Sequence, residues 1–503
     1  MDEVTDWSAQ WAMYAPDRMA FRDGDTGDSL TFTALDAGGS QLALALLGEW
    51  GLTPGDRIAI LAENCLAYPL LFAAAQKAGF ILVPINYRLS PPEVAFILGD
   101  ADPAMVIVEP CFDALLSTTV LPERVHRLPL ADVYAISQSV HPRQDRPVIA
   151  PDDPIFILYT SGTTGFPKGA LYTHKMLFWN SVNTALSLVV NTESRTVNVM
   201  PPFHTGGWNV LLTPFLHRGG YTCLLRKFDA GRLLKVVEAE KATVLMAVPT
   251  MLRMMADDPA FATADFDALR YVIVGGEPLS PELIKRWHDR GVPIRQGFGM
   301  TEVGPNLFSL HQDDADRKRG SIGRPNFYVQ TKIVDAEGRT CPANQAGELW
   351  LRGPMTTPGY WRNPEATKKA FAGEWFRTGD IVRRDEDGYF FVAGRLKEMY
   401  ISGGENVYPA EVERWLEAHP AIREAAVVGV ADERWGEVGY AYWVPESEVA
   451  EVGEDQLVAH CRRGLARFKV PKYFTKVEEL PKNATGKIDK VTLQEQAKES
   501  VSQ

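Results

Sequence analysis

The segment Tyr159-Thr160-Ser161-Gly162-Thr163-Thr164-Gly165-Phe166-Pro167-Lys168-Gly169 packs four serine or threonine hydroxyls, three glycines and one lysine into eleven residues. Side-chain donors, backbone amides exposed by glycine and a single cation are the equipment for gripping a polyphosphate. This is not a Walker loop, which needs Ser or Thr after its lysine, because Lys168 is followed by Gly169. Other catalytic patterns are missing: the chain has no Gly-x-Ser-x-Gly elbow and no His-Glu-x-x-His, so serine-hydrolase and zincin chemistry have no support. The five cysteines stand singly, without a Cys-x-x-Cys pair, which removes a disulfide framework and a zinc knuckle.

Such a loop must be held by regular elements, and the surrounding pattern supplies them. The apolar run Ile155-Phe156-Ile157-Leu158 predicts a strand leading into the loop, and a long helix is expected from about Lys175. Short β-branched runs alternate with helical patterns from Ile58 through Met105 to Val108, Val197 to Met200, Tyr221 to Leu225, Thr243 to Val248 and Tyr271 to Val274. Helices are expected at Ala67 to Ala78, from Trp208, near Ala230 to Glu240, from Met251 and after Ser280. That alternation predicts parallel sheets with helices on both faces and ligands at the carboxyl ends of the strands. From about Ser321 the texture becomes short strands with turn signals, such as Asp335-Ala336-Glu337-Gly338 and Asp387-Gly388, as in a small all-β subdomain. Beyond Gly394 a helix through Glu411 to Ala418, a strand at Ala425 to Val430 and a helix at Asp455 to Ala466 read as a separate α+β unit, so a boundary is placed near 394.

The eleven-residue loop resembles the signature loop of the adenylate-forming superfamily of acyl-CoA synthetases, aryl-CoA ligases, luciferases and peptide-synthetase adenylation domains. Further motifs of that family follow in order. Gly275-Gly276-Glu277-Pro278-Leu279 is similar to the adenine-pocket segment, and Gly297-Phe298-Gly299-Met300-Thr301-Glu302 to the strand end beside the α-phosphate. Trp375-Phe376-Arg377-Thr378-Gly379-Asp380 resembles the ribose-binding element, Gly394 to Glu405 the hinge and thioester loop, and Pro481 to Lys487 the catalytic-lysine loop. The likeness is strongest to fatty-acyl-CoA synthetases. It implies a large domain over 1–394, built of parallel-sheet α/β subdomains with a small β-barrel-like subdomain at about 321–394. A smaller mobile α+β domain would cover 395–503.

The resemblance also implies the chemistry. A carboxylate attacks the α-phosphorus of ATP to give acyl-AMP and pyrophosphate, and the thiol of coenzyme A then attacks the mixed anhydride. Two anions meet in the first step, so catalysis is mostly positioning and charge neutralisation. Thr160, Ser161, Gly162, Thr163, Thr164 and Lys168 would hold the phosphates, Gly276, Glu277 and Pro278 the adenine, and Gly297, Phe298, Gly299 and Met300 the adenylate beside them. Thr301 would donate to the α-phosphate and Glu302 would hold Mg²⁺, a hard cation that takes oxygen ligands. Asp380 would accept from the ribose hydroxyls and Arg395 add a contact. Lys487 would bridge the acid and the α-phosphate. For the second step the C-terminal domain would rotate about Lys397, a position where many relatives carry Asp, and Gly403 and Gly404 would admit the pantetheine arm.

Pro201 to Trp208 is similar to the family's acyl-site motif. His204 stands where amino-acid-loading domains carry Asp, which disfavours an amino acid. His204, Gly207, Trp208 and Gly299 are the candidate acid-binding residues, with His204 resembling the residue that packs by the reacting carboxylate or gates the ATP and CoA side. Trp208, bulky after a glycine pair, is expected to shorten or flatten the acyl tunnel, which favours a medium-chain or short fatty acid and a place in fatty acid metabolism. An aryl acid is the alternative, as is a stand-alone enzyme loading a separate carrier protein. Asp25-Thr26-Gly27-Asp28-Ser29-Leu30 contains the tetrapeptide of carrier-protein attachment sites and of some esterases, but a hairpin turn before Leu30 is the expected structure.

Composition sets the remaining limits. The 503 residues carry a net charge of −12 without a long basic run, which speaks against a nucleic-acid surface. The most apolar stretch, Ala67 to Ile85, is interrupted by Pro69, Gln76, Lys77 and Gly79 and cannot span a bilayer. The N-terminus lacks the features of a signal peptide. A cytoplasmic enzyme is expected, with ATP, CoA and a carboxylic acid as its small-molecule partners and a homodimer compatible with the sequence.

Overall fold

The computed structural model describes every residue except 1–2, 117–118, 120, 143–144, 161–166, 276–278, 280, 403–404, 447–451, 484–485 and 503. Its contacts divide the chain into two compact units, residues 1–331 with 351–376, and residues 332–350 with 377–503.

The first unit is built from the alternation seen in the sequence. A six-stranded sheet runs in the order His126–Pro129, Met105–Val108, Arg57–Leu61, Ile81–Pro84, Pro154–Thr160 and Lys168–Thr173. Its first five strands are parallel and the last returns antiparallel. Fully buried runs such as Met-Val-Ile-Val at 105–108 are what parallel strands covered on both faces require. A second sheet joins Val244–Ala247, Tyr271–Val274 and Ile294–Met300 in parallel, then Gly304–Ser309 and Arg324–Pro325 antiparallel. A third pairs Met19–Asp23, Tyr221–Leu224 and Arg195–Asn198 in parallel, with Ser29–Thr31 on the edge. The Asp28-Ser29-Leu30 tripeptide sits in that hairpin, where Asp23 Oδ1 accepts from the amides of Asp25 and Thr26.

The helix expected from Trp208 differs from expectation. Gly206–Val210 forms a π-helical turn and the α-helix begins only at Leu212. The carbonyl of Asn209 accepts from the side-chain amide of Asn180 at 2.6 Å, and that of Val210 from Asn306 at 3.0 Å. Side chains thereby take carbonyls that an α-helical ladder would have used, a condition under which wider turns persist.

The short strands expected over 321–394 are present. Gln330–Val334, Ala346–Arg352, Trp375–Arg384, Phe371–Ala372 and Phe390–Arg395 form one curved sheet. By contacts, residues 332–350 and 377–394 group with the chain that follows them, because the Trp375–Arg384 strand carries its ladder directly onto Phe390–Arg395. The C-terminal sheet has the order Glu405–Val407, Tyr400–Ser402, Gly436–Pro445, Ile422–Asp432. Tyr473–Lys476 pairs parallel with Gly436–Pro445. Helices Pro409–Glu417, Glu454–Gly464 and Lys490–Ser502 complete the unit, the first opened by proline where the missing N–H costs nothing.

Candidate active site

The phosphate loop is carried by two antiparallel arms. Thr160, last residue of one strand, faces Lys168, first residue of the next, and its hydroxyl reaches the Lys168 carbonyl at 3.4 Å. Tyr159 anchors the incoming arm by donating to Asp100 Oδ2 at 2.5 Å. Ser161, Gly162, Thr163 and Thr164 lie outside the described residues, as do Gly276, Glu277 and Pro278.

Glu302 sits at the carboxyl end of the strand Ile294–Met300, on the short turn Thr301–Val303, the strand-end position an α/β sheet offers to ligands. The strand returns at once as Gly304–Ser309, with Met300 opposite Gly304 and an irregularity between Phe298 and Met300. Gly299 is required there, since a Cβ would run into the backbone of Pro305.

A segment that the sequence reading did not single out joins these parts. Thr357 donates its amide to the Glu302 carbonyl at 2.7 Å and its hydroxyl to the Leu171 carbonyl at 2.7 Å. Leu171 in turn donates to the Gly359 carbonyl at 3.1 Å, and Trp361 to the Gly169 carbonyl at 2.8 Å. Residues 357–361 therefore run along the strand that leaves the phosphate loop. Tyr360 donates its hydroxyl to Glu302 Oε1 at 3.0 Å, and the Lys168 ammonium lies 5.7 Å from the centre of its ring. Burial, and then the charge of Glu302, push the Tyr360 phenol well above its usual range, so it stays a donor. Glu302 itself is only 7% exposed. No local sequence signal ties Tyr360 to a residue 58 positions earlier, and only the aromatic pair after Pro358-Gly359 marks the segment.

The acyl-site motif is split by the structure. His204 stacks edge-on against Phe203 at 4.6 Å, and Phe203 against Tyr87 at 5.1 Å. Gly207 is needed because a Cβ would strike the Pro201 carbonyl, and its own carbonyl accepts from Asn198 at 2.8 Å. Trp208 differs from expectation. It is 1% exposed, packs on Tyr68, Phe72 and Phe156 at 5.6, 5.9 and 4.9 Å, and donates its indole N–H to the Pro202 carbonyl at 2.6 Å. A side chain surrounded by core aromatics fills the interior. The residue whose Cα opens toward Met246 and Met200 is instead Gly206.

In the second unit Asp380 and Arg395 are cross-strand partners, with Arg395 Nε 2.6 Å from Asp380 Oδ1. Asp380 is 2% exposed, and its amide is held by Thr378 Oγ1 at 3.0 Å. Lys397 is exposed on the turn that ends the strand Phe390–Arg395, where the amides of Glu398 and Met399 both donate to the Arg395 carbonyl. Gly403 and Gly404 lie outside the described residues, while Ser402 pairs with Glu405 across them. Lys487 is exposed on a closed turn: its carbonyl accepts from the Asn483 amide at 2.8 Å and its amide donates to Asn483 Oδ1 at 3.2 Å. Three residues on, Lys490 reaches Glu398 at 3.0 Å and Glu413 at 2.8 Å, a cluster with no counterpart among the sequence candidates.

The architecture and motif order define an ATP-dependent, AMP-forming acid–thiol ligase of the adenylate-forming superfamily. The chain matches the AMP-binding enzyme family over residues 8–361 and the AMP-binding enzyme C-terminal domain over residues 411–487, and it belongs to that family. It is 38% identical over 482 residues to a feruloyl-CoA synthase of Amycolatopsis sp, covering 96% of each chain. To a long-chain-fatty-acid–CoA ligase of Mycobacterium tuberculosis it is 36% identical over 493 residues, covering 97% of each. Its fold is similar to that of o-succinylbenzoate coenzyme A synthetase from Bacillus subtilis in complex with ATP and magnesium ion. The TM-score is 0.86 at 29% identity, with coverage of 96% of this chain and 98% of the other. A homodimer gains no support from these relatives.

Proposed function

We propose that the protein is an acid–CoA ligase whose acid carries an aryl or medium-length acyl body, converting it through acyl-AMP to the CoA thioester with ATP, Mg²⁺ and coenzyme A. The observation that carries the reading is Glu302, a buried carboxylate at a strand end, fixed to the arm of the phosphate loop through Thr357 and Tyr360. Among the described residues no cluster of three His, Cys, Asp or Glu side chains could hold a metal alone. One carboxylate beside a phosphate-binding loop is nevertheless the donor set Mg²⁺ uses when substrate phosphates supply the other oxygens. Glu302 would hold it, and it would neutralise charge on the phosphates.

Within this reading Thr160 and Lys168 grip phosphate, Thr301 donates to the α-phosphate, and Asp380 takes the ribose hydroxyls with Arg395 beside it. Lys487 bridges the two anions, and the chain turns about Lys397 to bring the thioester loop into use. His204 stands by the reacting carboxylate, with Gly207 and Gly299 keeping the acid site clear of side chains. The aryl reading draws support from the feruloyl-CoA synthase, and the fatty-acid reading from the mycobacterial ligase. With Trp208 packed in the core, a shortened tunnel no longer favours the second. No described helix is long and apolar enough to cross a membrane. A panel of aryl and fatty acids with ATP, Mg²⁺ and CoA, read as AMP release with and without CoA, tests the proposal. CoA-independent release as fast as CoA-dependent release, with no thioester formed, would point to a carrier-loading enzyme.

A further inference from the structure

The Tyr360 hydroxyl meets Glu302 Oε1 at 3.0 Å, while the backbone around Tyr360 is bonded to the strand that leaves the phosphate loop. A carboxylate with two equivalent oxygens can rotate, and one fixed by a phenol on one oxygen presents the other in a set direction. Hydrogen-bonded partners of a metal ligand commonly orient it in this way and affect affinity about 10- to 100-fold. Among the described residues the phenol donates to Glu302 alone, and its ring lies under the Lys168 ammonium. One side chain therefore touches both the carboxylate and the loop lysine. The contact is not a by-product of chain connectivity, because Thr357 already ties the Glu302 backbone to the same strand without the phenol.

Resting on the reading of Glu302 as the carboxylate that holds the metal, we infer that Tyr360 is a positioning residue, its hydroxyl aiming Glu302 at the metal–nucleotide complex and setting divalent-cation affinity. Phenylalanine keeps the ring, its packing and its place beneath Lys168, and deletes only the hydroxyl. The inference therefore predicts a metal defect without a nucleotide defect.

The test measures Mn²⁺ binding by electron paramagnetic resonance on the full chain with a non-hydrolysable ATP analogue, and analogue binding by calorimetry in EDTA. For Tyr360→Phe the Mn²⁺ Kd should rise about tenfold, with the EDTA affinity for the analogue unchanged. Tyr360→Leu should show the same metal shift and, having lost the ring beneath Lys168, weaker metal-free binding. Glu302→Gln is the control. If it weakens Mn²⁺ binding while Tyr360→Phe does not, the positioning role is overturned and the reading of Glu302 stands. If Glu302→Gln leaves Mn²⁺ binding intact, that reading itself fails. Equal loss of analogue affinity in EDTA for Tyr360→Phe would place its action on the phosphate loop and overturn the inference.

Discussion

Two lysines are each clamped between two carboxylates, one in each unit. Lys77, in the last turn of the helix Ala67–Ala78, has a side chain of zero exposure and lies 2.5 Å from both Asp6 and Asp36, with Ser8 Oγ at 2.9 Å. It joins three helices, since Asp6 caps Trp7–Tyr14 and Asp36 belongs to Phe32–Gly48. Lys490 opens the helix Lys490–Ser502 and is 20% exposed. It reaches Glu398, beside the proposed hinge Lys397, and Glu413 of Pro409–Glu417. The chemistry is the same and the neighbourhood is not. Lys77 ties regular elements of the core together, whereas Lys490 ties the turn bearing Lys487 to the turn bearing Lys397. A buried ion pair is a weak guide to net stability but a strong constraint on geometry. One clamp therefore concerns folding and the other concerns the alignment of the two turns to which hinge and catalytic roles are proposed.

A third lysine separates the two roles most sharply. Lys487→Ala removes a charge exposed on its turn, so any loss of melting temperature should be small beside the catalytic loss. Acyl-AMP formation should slow by about 10²- to 10³-fold, the usual loss of one transition-state donor. Thioester formation from supplied acyl-AMP should survive, and equal loss of both half-reactions would contradict the two-step reading.

Lys77→Met should cost about 3 kcal/mol, the lower end for breaking a buried pair, because its carboxylates retain 20% and 27% exposure. Urea unfolding measures this, and kcat/KM per folded molecule should match the parent. A catalytic defect would erase the contrast with Lys490.

The same contrast extends to pH. In the first unit burial alone lowers His174 from 6.5 to about 4. It is neutral in the fold and takes up a proton on unfolding, so its contribution is present above pH 6.5 and lost as pH falls toward 4. Against a neutral replacement such as His174→Gln, the parent should lose about 3 kcal/mol more across that interval, read by urea titrations at pH 7, 5 and 4.

The smallest effect is expected at the second clamp. Lys490→Met should cost about 2 kcal/mol, between buried and surface pairs, and slow adenylation about tenfold through misplacement of Lys487. Burial opposes the charge on Lys490, but Glu413 and Glu398 outweigh it and hold its pKa above the usual 10.5. Its contribution is therefore complete below pH 10.5 and fades as pH rises through the folded value. Parent and variant stabilities should converge there, and a stability loss without any rate change would reduce this clamp to another Lys77.

The sequence by itself determined the class. Period and composition are local properties, so the alternation of strands and helices, the small sheet over 321–394 and the position of the phosphate loop between two elements could be read from neighbouring residues. Motif order singled out Glu302, Asp380 and Lys487 as candidates. Tertiary structure alone decided what those residues touch. Trp208 follows a glycine pair in an acyl-site motif, yet the side-chain amides of Asn180 and Asn306 hold that segment as a π-turn and the indole turns into the aromatic core. No window of sequence ties Tyr360 or Lys490 to its partner, because Glu302 and Glu398 lie 58 and 92 residues away. Such contacts depend on which strand pairs with which, a property of the whole packed chain that no window of neighbouring residues contains.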